Sequence, residues 1–295
     1  MPNFEKSGQI ISLNQKRKQK LSMTAKAEKR SPQARVIAIT SGKGGVGKTN
    51  IVANLGYALC KAGQRVLIFD ADLGLGNLDV LLGLTPRYNL SHVIEGRKNL
   101  SEIVIGGPGN VKILPASSGI QELTKLTAVQ KLRIHNDLNA LLSSYDIVLI
   151  DTAAGISSNV LYFNASANEI MVVVTPEPTS ITDAYALMKI LSVKYQEKNF
   201  RLLVNLAKNA KEADEVSRQL SLVASRFLDV SIEYFGSVLM DDNVKIGVRK
   251  QKVVSEMAPM SQASRNFAEL THKLIRSRPV NQRSENGPSI WQDIV

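Results

Sequence analysis

The sequence holds one cysteine, Cys60, among 295 residues. A single thiol closes no internal disulfide and supplies no paired thiolates for a metal or iron–sulfur site within one chain, so a reducing cytoplasm is the expected setting. Long apolar runs are missing as well: none reaches the ~18 residues a membrane-spanning helix needs. The basic N-terminal stretch has no apolar core behind it, which argues against a secretory signal. No internal repeat is found. The composition that remains, 44% apolar and 21% charged, excludes a wholly disordered or fibrous chain. Its length suits one large domain or two small ones.

The net charge of +11 is unevenly spread: residues 1–35 contain nine basic and two acidic side chains, a net of +7, which leaves +4 for the other 260. Residues 1–33 therefore read as a flexible basic arm, either solvated or held against an acidic partner, nucleic acid or anionic lipid. Residues 34–278 read as the folded body, and residues 279–295 as a loose tail. Within the body, Arg35–Thr40 is a short β-branched strand. Asn50–Ala62 reads as a helix closed by Gly63. Further apolar runs recur at Val66–Phe69, Val111–Leu114, Ile147–Ile150, Ile170–Val174, Leu202–Val204 and Ile232–Val238. Amphipathic stretches such as Ala128–Leu142 and Ile181–Tyr195 separate them. This alternation predicts an α/β fold, a mostly parallel sheet with helices on both faces.

Gly42 to Thr49 fits the pattern G-x-x-x-x-G-K-[ST] between the first strand and the first helix, which is the context that gives the pattern meaning. Its glycines let backbone N–H groups close onto phosphate oxygens, and the helix N-terminus adds a favourable dipole. Gly42, Lys43, Gly44, Gly45, Val46, Gly47, Lys48, Thr49 and Asn50 are the expected ATP contacts. Lys48 reaches the β- and γ-phosphates and the Thr49 hydroxyl ligates Mg²⁺. Acids at the C-terminal ends of parallel strands face the ligand edge. Asp151 closes one such strand, and Asp70 and Asp72 follow another; each can hold Mg²⁺ or position water, or merely cap a loop. Lys43 is a second lysine in a loop that needs one, and it suits charge supplied across a dimer interface.

These residues resemble the deviant phosphate-loop ATPases of the MinD and ParA group, P-loop NTPases of the SIMIBI class, whose signature K-G-G-x-G-K-[ST] is Lys43–Thr49 here. Within that group the chain is most similar to the FlhG family (also FleN or YlxH), which controls flagellar number and placement. Asp70–Gly83, Tyr88–Gly96, Ile113–Leu123, Asp151–Ile156 and Thr175–Leu187 carry the likeness, over about residues 34–275. It implies a homodimer closed around two ATP molecules, slow Mg²⁺-dependent hydrolysis, and Lys43 reaching the partner's nucleotide. It places Asp72 in switch I, on the attacking water and in the Mg²⁺ set, and Asp151 in switch II on a magnesium-bound water. Asn205 falls where the group reads the adenine edge, and Met240 and Asp241 where it packs beside the base. Paired interface cysteines, used by other members of the superfamily, are excluded. Cys60, among Val52, Leu55, Gly56 and Leu59, reads as a small buried apolar residue.

The family's partners would be the GTPase FlhF, flagellar switch-complex proteins and a flagellar transcription regulator. The expected location is cytoplasmic, with peripheral contact to the inner face of the cell membrane. Ile290, Trp291, Ile294 and Val295 share one helical face as a lipid anchor, although no Lys or Arg follows Arg283. Phe267–Ile275 is the other amphipathic candidate, with core packing expected. Residues 8–14 match the FlhF-activating motif of relatives only at Gln9 and Leu13. The alternative is a ParA-like DNA-partition ATPase that uses the basic arm and Lys245, Arg249, Lys250 and Lys252. A third reading is a scaffold that binds ATP without hydrolysing it.

Overall fold

The computed structural model describes residues 34–73, 76–115, 127 and 136–279, all in one unit beginning at Ala34. The basic arm, the activator-like segment 8–14 and the tail from residue 280 lie outside them, as do residues 128–135 of the expected Ala128–Leu142 stretch. The seven apolar runs become strands β1 (Arg35–Ser41), β2 (Val66–Ala71), β4 (Lys112–Leu114), β5 (Ile147–Ala154), β6 (Glu169–Val174), β7 (Asn199–Ala207) and β8 (Ser231–Leu239). The two-residue β3 (Ile105–Gly106) was not expected. The strand order is β3-β4-β2-β5-β1-β6-β7-β8, parallel throughout except for β3 on β4.

The helices are α1 (Lys48–Lys61), α2 (Leu78–Leu81), α3 (Leu90–Ile94), α4 (Leu100–Ile103), α5 (Ser158–Ser166), α6 (Pro178–Tyr195), α7 (Ala210–Phe227), α8 (Asp242–Arg249), α9 (Val254–Met257) and α10 (Gln262–Arg276), with a helical stretch over 136–142. Alternate side chains of each central strand enter opposite layers. Ile37 and Ile39 join Ile68, Leu149, Met171 and Leu203 under α1 and α10. Val36 and Ala38 join Leu67, Phe69, Val148 and Ile150 on the other face, against Phe163 of α5 and Leu138 and Leu142. Burial on both faces explains why these strands are continuous apolar runs without alternation. Each fully buried Ile or Leu is worth about 1.5–3 kcal/mol. α6 and α7 cover β6 and β7.

Phe267, Leu270 and Leu274 of α10 are buried in the first layer, as expected of that segment. Cys60 is half-buried at the edge of the same layer, and desolvation raises its thiol pKa. β1 lies between β5 and β6, with the chain running outward in both directions from it. The strand order reverses there, so a crevice opens beyond the C-terminal end of β1, where ligands of such sheets bind.

The opposite edge of the sheet carries a buried ionic cluster. Glu169, fully buried, pairs with both Arg35 and Arg201. Arg201 Nε also donates to Glu233 at 3.0 Å, and Arg201 Nη2 to the carbonyl of Arg278 at 3.1 Å. Arg35 Nη1 donates to the carbonyls of Leu274 at 2.6 Å and Ser277 at 3.0 Å, which satisfies the end of α10.

Candidate functional site

Gly42–Gly47 forms the turn between β1 and α1. A Cβ on Gly42 would stand 2.1 Å from the carbonyl oxygen of Asp183, so only glycine lets α6 come this close. Gly47 enters the helix at φ 91°, a left-handed conformation that glycine adopts without penalty. This early cap starts α1 at Lys48, two residues before the expected Asn50. No acid occupies the first turn, so nothing offsets the anion-attracting end of the helix. Asn50 lies in that turn, where its carbonyl accepts from Asn54 Nδ2 at 2.8 Å.

Lys48 is buried, and its Nζ donates to Ser41 Oγ at 2.9 Å. Ser41 Oγ in turn donates to the carbonyl of Lys43 at 2.7 Å. Sequence reasoning missed Ser41, because its position just before the motif gives no signal of its own. Desolvation lowers the Lys48 pKa, while Asp151 and Asp72 pull it back up. Both acids thus sit within electrostatic reach of the ammonium.

Asp151 is buried and its pKa is pushed up to about 7, mainly by desolvation; a hydrogen bond from the Thr49 hydroxyl and the charge of Lys48 oppose the rise. Its Oδ1 is buried without a hydrogen-bond partner. Asp70 is its register neighbour on β2. Burial, and then repulsion from Asp151, lift Asp70 to about 8. Asp70 accepts the backbone N–H of Asp72 at 3.2 Å and that of Leu78, so it organises the loop between β2 and α2. Asp72 itself is half-buried. Among the described residues no three His, Cys, Asp or Glu side chains gather into a metal cage. A Mg²⁺ ion held largely by phosphate oxygens and water needs only one or two protein ligands. The Thr49 hydroxyl and the unpartnered Asp151 oxygen, with Asp72 nearby, fit that need.

The remaining expected residues spread around this centre. Lys43 reaches the start of α6, pairing with Glu177 and donating to Thr179 Oγ1 at 2.9 Å, with 34% of its side chain exposed. Neither Glu177 nor Thr179 was expected; only the stretch that contains them was singled out. Asn205, at the end of β7, is buried and donates through Nδ2 to the carbonyl of Val46 at 2.7 Å. Met240 is exposed. Asp241 caps α8 by accepting the Asn243 N–H at 2.9 Å and also accepts the Ala263 N–H at 2.9 Å, which pins the start of α10. Burial works against its ionised form, but these hydrogen bonds prevail and hold its carboxyl below the usual range.

A family model described as an AAA domain matches residues 34–204. The antiactivator FleN of Pseudomonas aeruginosa is 45% identical over 239 residues, covering 81% of this chain and 85% of that protein. The flagellum site-determining protein YlxH of Helicobacter pylori is 36% identical over 240 residues, covering 81% of each. Among solved structures, the MinC:MinD cell division protein complex of Aquifex aeolicus superposes with a TM-score of 0.65 at 29% identity, over 85% of this chain and all of that one. Likeness of this extent, in sequence and in fold, is shared descent: the chain belongs to the MinD/ParA-type ATPases, in the branch of FleN and YlxH (the FlhG family), and is an ATPase whose cofactors are ATP and Mg²⁺.

Proposed function

We propose that this ATPase is a dimer switch that regulates flagellar number and placement. The observation that carries the reading is the position of Lys43. Lys48 is buried in the loop, donating to Ser41, while the Lys43 ammonium is partly exposed and paired with Glu177 at the start of α6. A cation so placed is available to a second subunit. On ATP binding Lys43 leaves Glu177 and Thr179 for the triphosphate of the partner, and nucleotide state and pairing become linked.

Lys48 holds the β- and γ-phosphates and the loop N–H groups surround them. Thr49, Asp151 and Asp72 are the residues that would hold Mg²⁺, which when bound would neutralise phosphate charge. Asp72 also orients the water that attacks the γ-phosphorus, so that the bond to the ADP oxygen breaks and phosphate leaves. Loss of the γ-phosphate contacts releases the dimer. On this reading adenine lies beside Asn205 and Met240, with Asp241 next to it. The similarity to YlxH, a flagellum site-determining protein, supports the flagellar role. Its partners are FlhF, switch-complex proteins and a flagellar transcription regulator, with peripheral membrane contact through the tail. Among the described residues no helix is long and apolar enough to cross a membrane.

The test is light scattering of Asp72→Ala with Mg²⁺ and ATP. A persistent dimer is expected; a variant that binds ATP yet stays monomeric overturns the switch. Lys43→Ala should keep ATP binding and lose turnover by up to about 10³-fold, the lower end for a charge supplied in trans. One observation favours a second reading: Lys245, Arg249, Lys250 and Lys252 are all exposed on and beside α8. A DNA-partition ATPase would bind duplex DNA with a steep salt dependence. Flagellar counts and DNA segregation, scored in the same deletion strain, separate the two.

A further inference from the structure

We propose that Asn205 is a positioning residue for the phosphate loop: it fixes the carbonyl of Val46 so that the next amide, that of Gly47, points into the phosphate cradle. The inference rests on ATP binding alone and is independent of the dimer switch. It gives Asn205 work beyond any contact with the base.

The geometry begins with the 2.7 Å hydrogen bond from Asn205 Nδ2 to the Val46 carbonyl, a buried contact between residues far apart in sequence. The described backbone contains no cis peptide. In a trans peptide the C=O of one residue and the N–H of the next point in opposite directions within a single rigid plane. Holding the Val46 oxygen toward β7 therefore turns the Gly47 N–H away from β7, toward the interior of the loop. That N–H is one of the donors a phosphate-binding turn must present. An unrestrained peptide at this point could flip and offer its carbonyl, which would repel the ligand.

Two further features are built around this contact. A Cβ on Gly47 would stand 2.5 Å from Asn205 Nδ2, so any side chain there would displace the amide. Glycine at position 47 thus meets two demands at once, the left-handed turn and room for Asn205. On β7 itself, the residue after Asn205, Leu206, has φ 59°, a conformation that residues with a Cβ avoid. It sits where the β7–β8 register shifts between Asn205 and Ala207. An extra residue in a ladder bends the strand and re-aims its neighbours. Here Leu206 faces solvent while Asn205 remains buried against the loop. The chain holds an unfavourable backbone at Leu206, and the side chain beside it reaches Val46.

A residue that reads only the base leaves the binding of a ligand without a base untouched. A residue that sets the loop affects both kinds of ligand. Calorimetric titration at pH 8 with Mg²⁺–ATP and with Mg²⁺–tripolyphosphate, on the wild type, Asn205→Ala and Asn205→Asp, distinguishes them. The aspartate keeps the volume and has no donor. Asn205→Ala should bind both ligands more weakly by a similar factor, about tenfold for one lost hydrogen bond in a dry site, and Asn205→Asp, whose carboxylate also repels the Val46 carbonyl and the phosphates, should weaken both at least as much. KM for ATP should rise and kcat should fall together. Weakened ATP with unchanged tripolyphosphate means a base reader only and overturns the proposal. Should neither variant fold, NMR of the unmutated Mg²⁺–ATP complex decides: a through-hydrogen-bond coupling between Asn205 Nδ2 and the Val46 carbonyl carbon is expected, and its absence from a resolved spectrum is equally decisive against.

Discussion

The two edges of the sheet bury the same kinds of side chain and treat them in opposite ways. At the N-terminal edge Glu169 meets Arg35 and Arg201, and the remaining guanidinium donors find Glu233 and three carbonyls. At the C-terminal edge Asp70 and Asp151 lie on adjacent strands, Asp151 Oδ1 has no partner, and Lys48 is buried among them. The first arrangement is closed and leaves little for a ligand to add. The second is held incomplete, and a phosphate with its cation supplies what is missing. Burial of charge alone therefore does not identify a site; the unfilled hydrogen-bonding capacity does.

Substitutions at the two edges can break this contrast. The largest effect is expected for Glu169→Gln, which leaves two buried arginines short of an anion. A loss of about 3 kcal/mol, near the low end for breaking a buried pair, should appear in chemical denaturation, with ATP affinity unchanged. Next comes Asp151→Asn. The Mg²⁺ concentration for half-maximal turnover should rise about 10–100-fold, the usual range for groups that support a metal, while the fold stays intact. If Asp151→Asn destabilises the ligand-free protein as much as Glu169→Gln does, the two edges are not different in kind.

Asp70 gives a smaller and pH-dependent effect. Its folded pKa of about 8 and that of Asp151, about 7, both lie above the ordinary value of 3.8. The folded state therefore binds more protons than the unfolded state between these limits, and stability falls as pH rises. The contribution is complete below about pH 4 and is lost as pH passes through 7 to 8. Asp70→Asn should flatten that slope, so that its advantage over the wild type is about 2–3 kcal/mol larger at pH 9 than at pH 6, as followed by thermal unfolding without nucleotide. The smallest effect belongs to the surface: Lys245→Ala, which breaks an exposed pair with Asp242, should cost no more than about 0.5 kcal/mol.

Much of the nucleotide edge was legible because its chemistry is local. The turn, its lysines and its threonine are contiguous, and Asp151 ends an apolar run. The seven longer strands were legible because burial on both faces writes an unbroken apolar word. β3 was not, since two residues carry no period. The ionic cluster was invisible for another reason. Arg35, Glu169, Arg201 and Glu233 each stand at or near the start of a strand, but they become neighbours only once the order β1-β6-β7-β8 is known. The same holds for Asn205 and Val46. Asp241 looked like part of a base pocket, and the structure shows its carboxylate engaged in joining α8 to α10.

The ladder between β2 and β5 runs unbroken through Asp70 opposite Asp151 and Ala71 opposite Thr152. The loops that follow β2 and β5 thus spring from a common rung, whose rails stand about 4.8 Å apart in any well-formed sheet. Neither loop can slide at its root without tearing hydrogen bonds from the other. Any movement of these loops must come from the swing of tips and side chains about this fixed gauge, so one spacing at their base stays constant whatever the tips do.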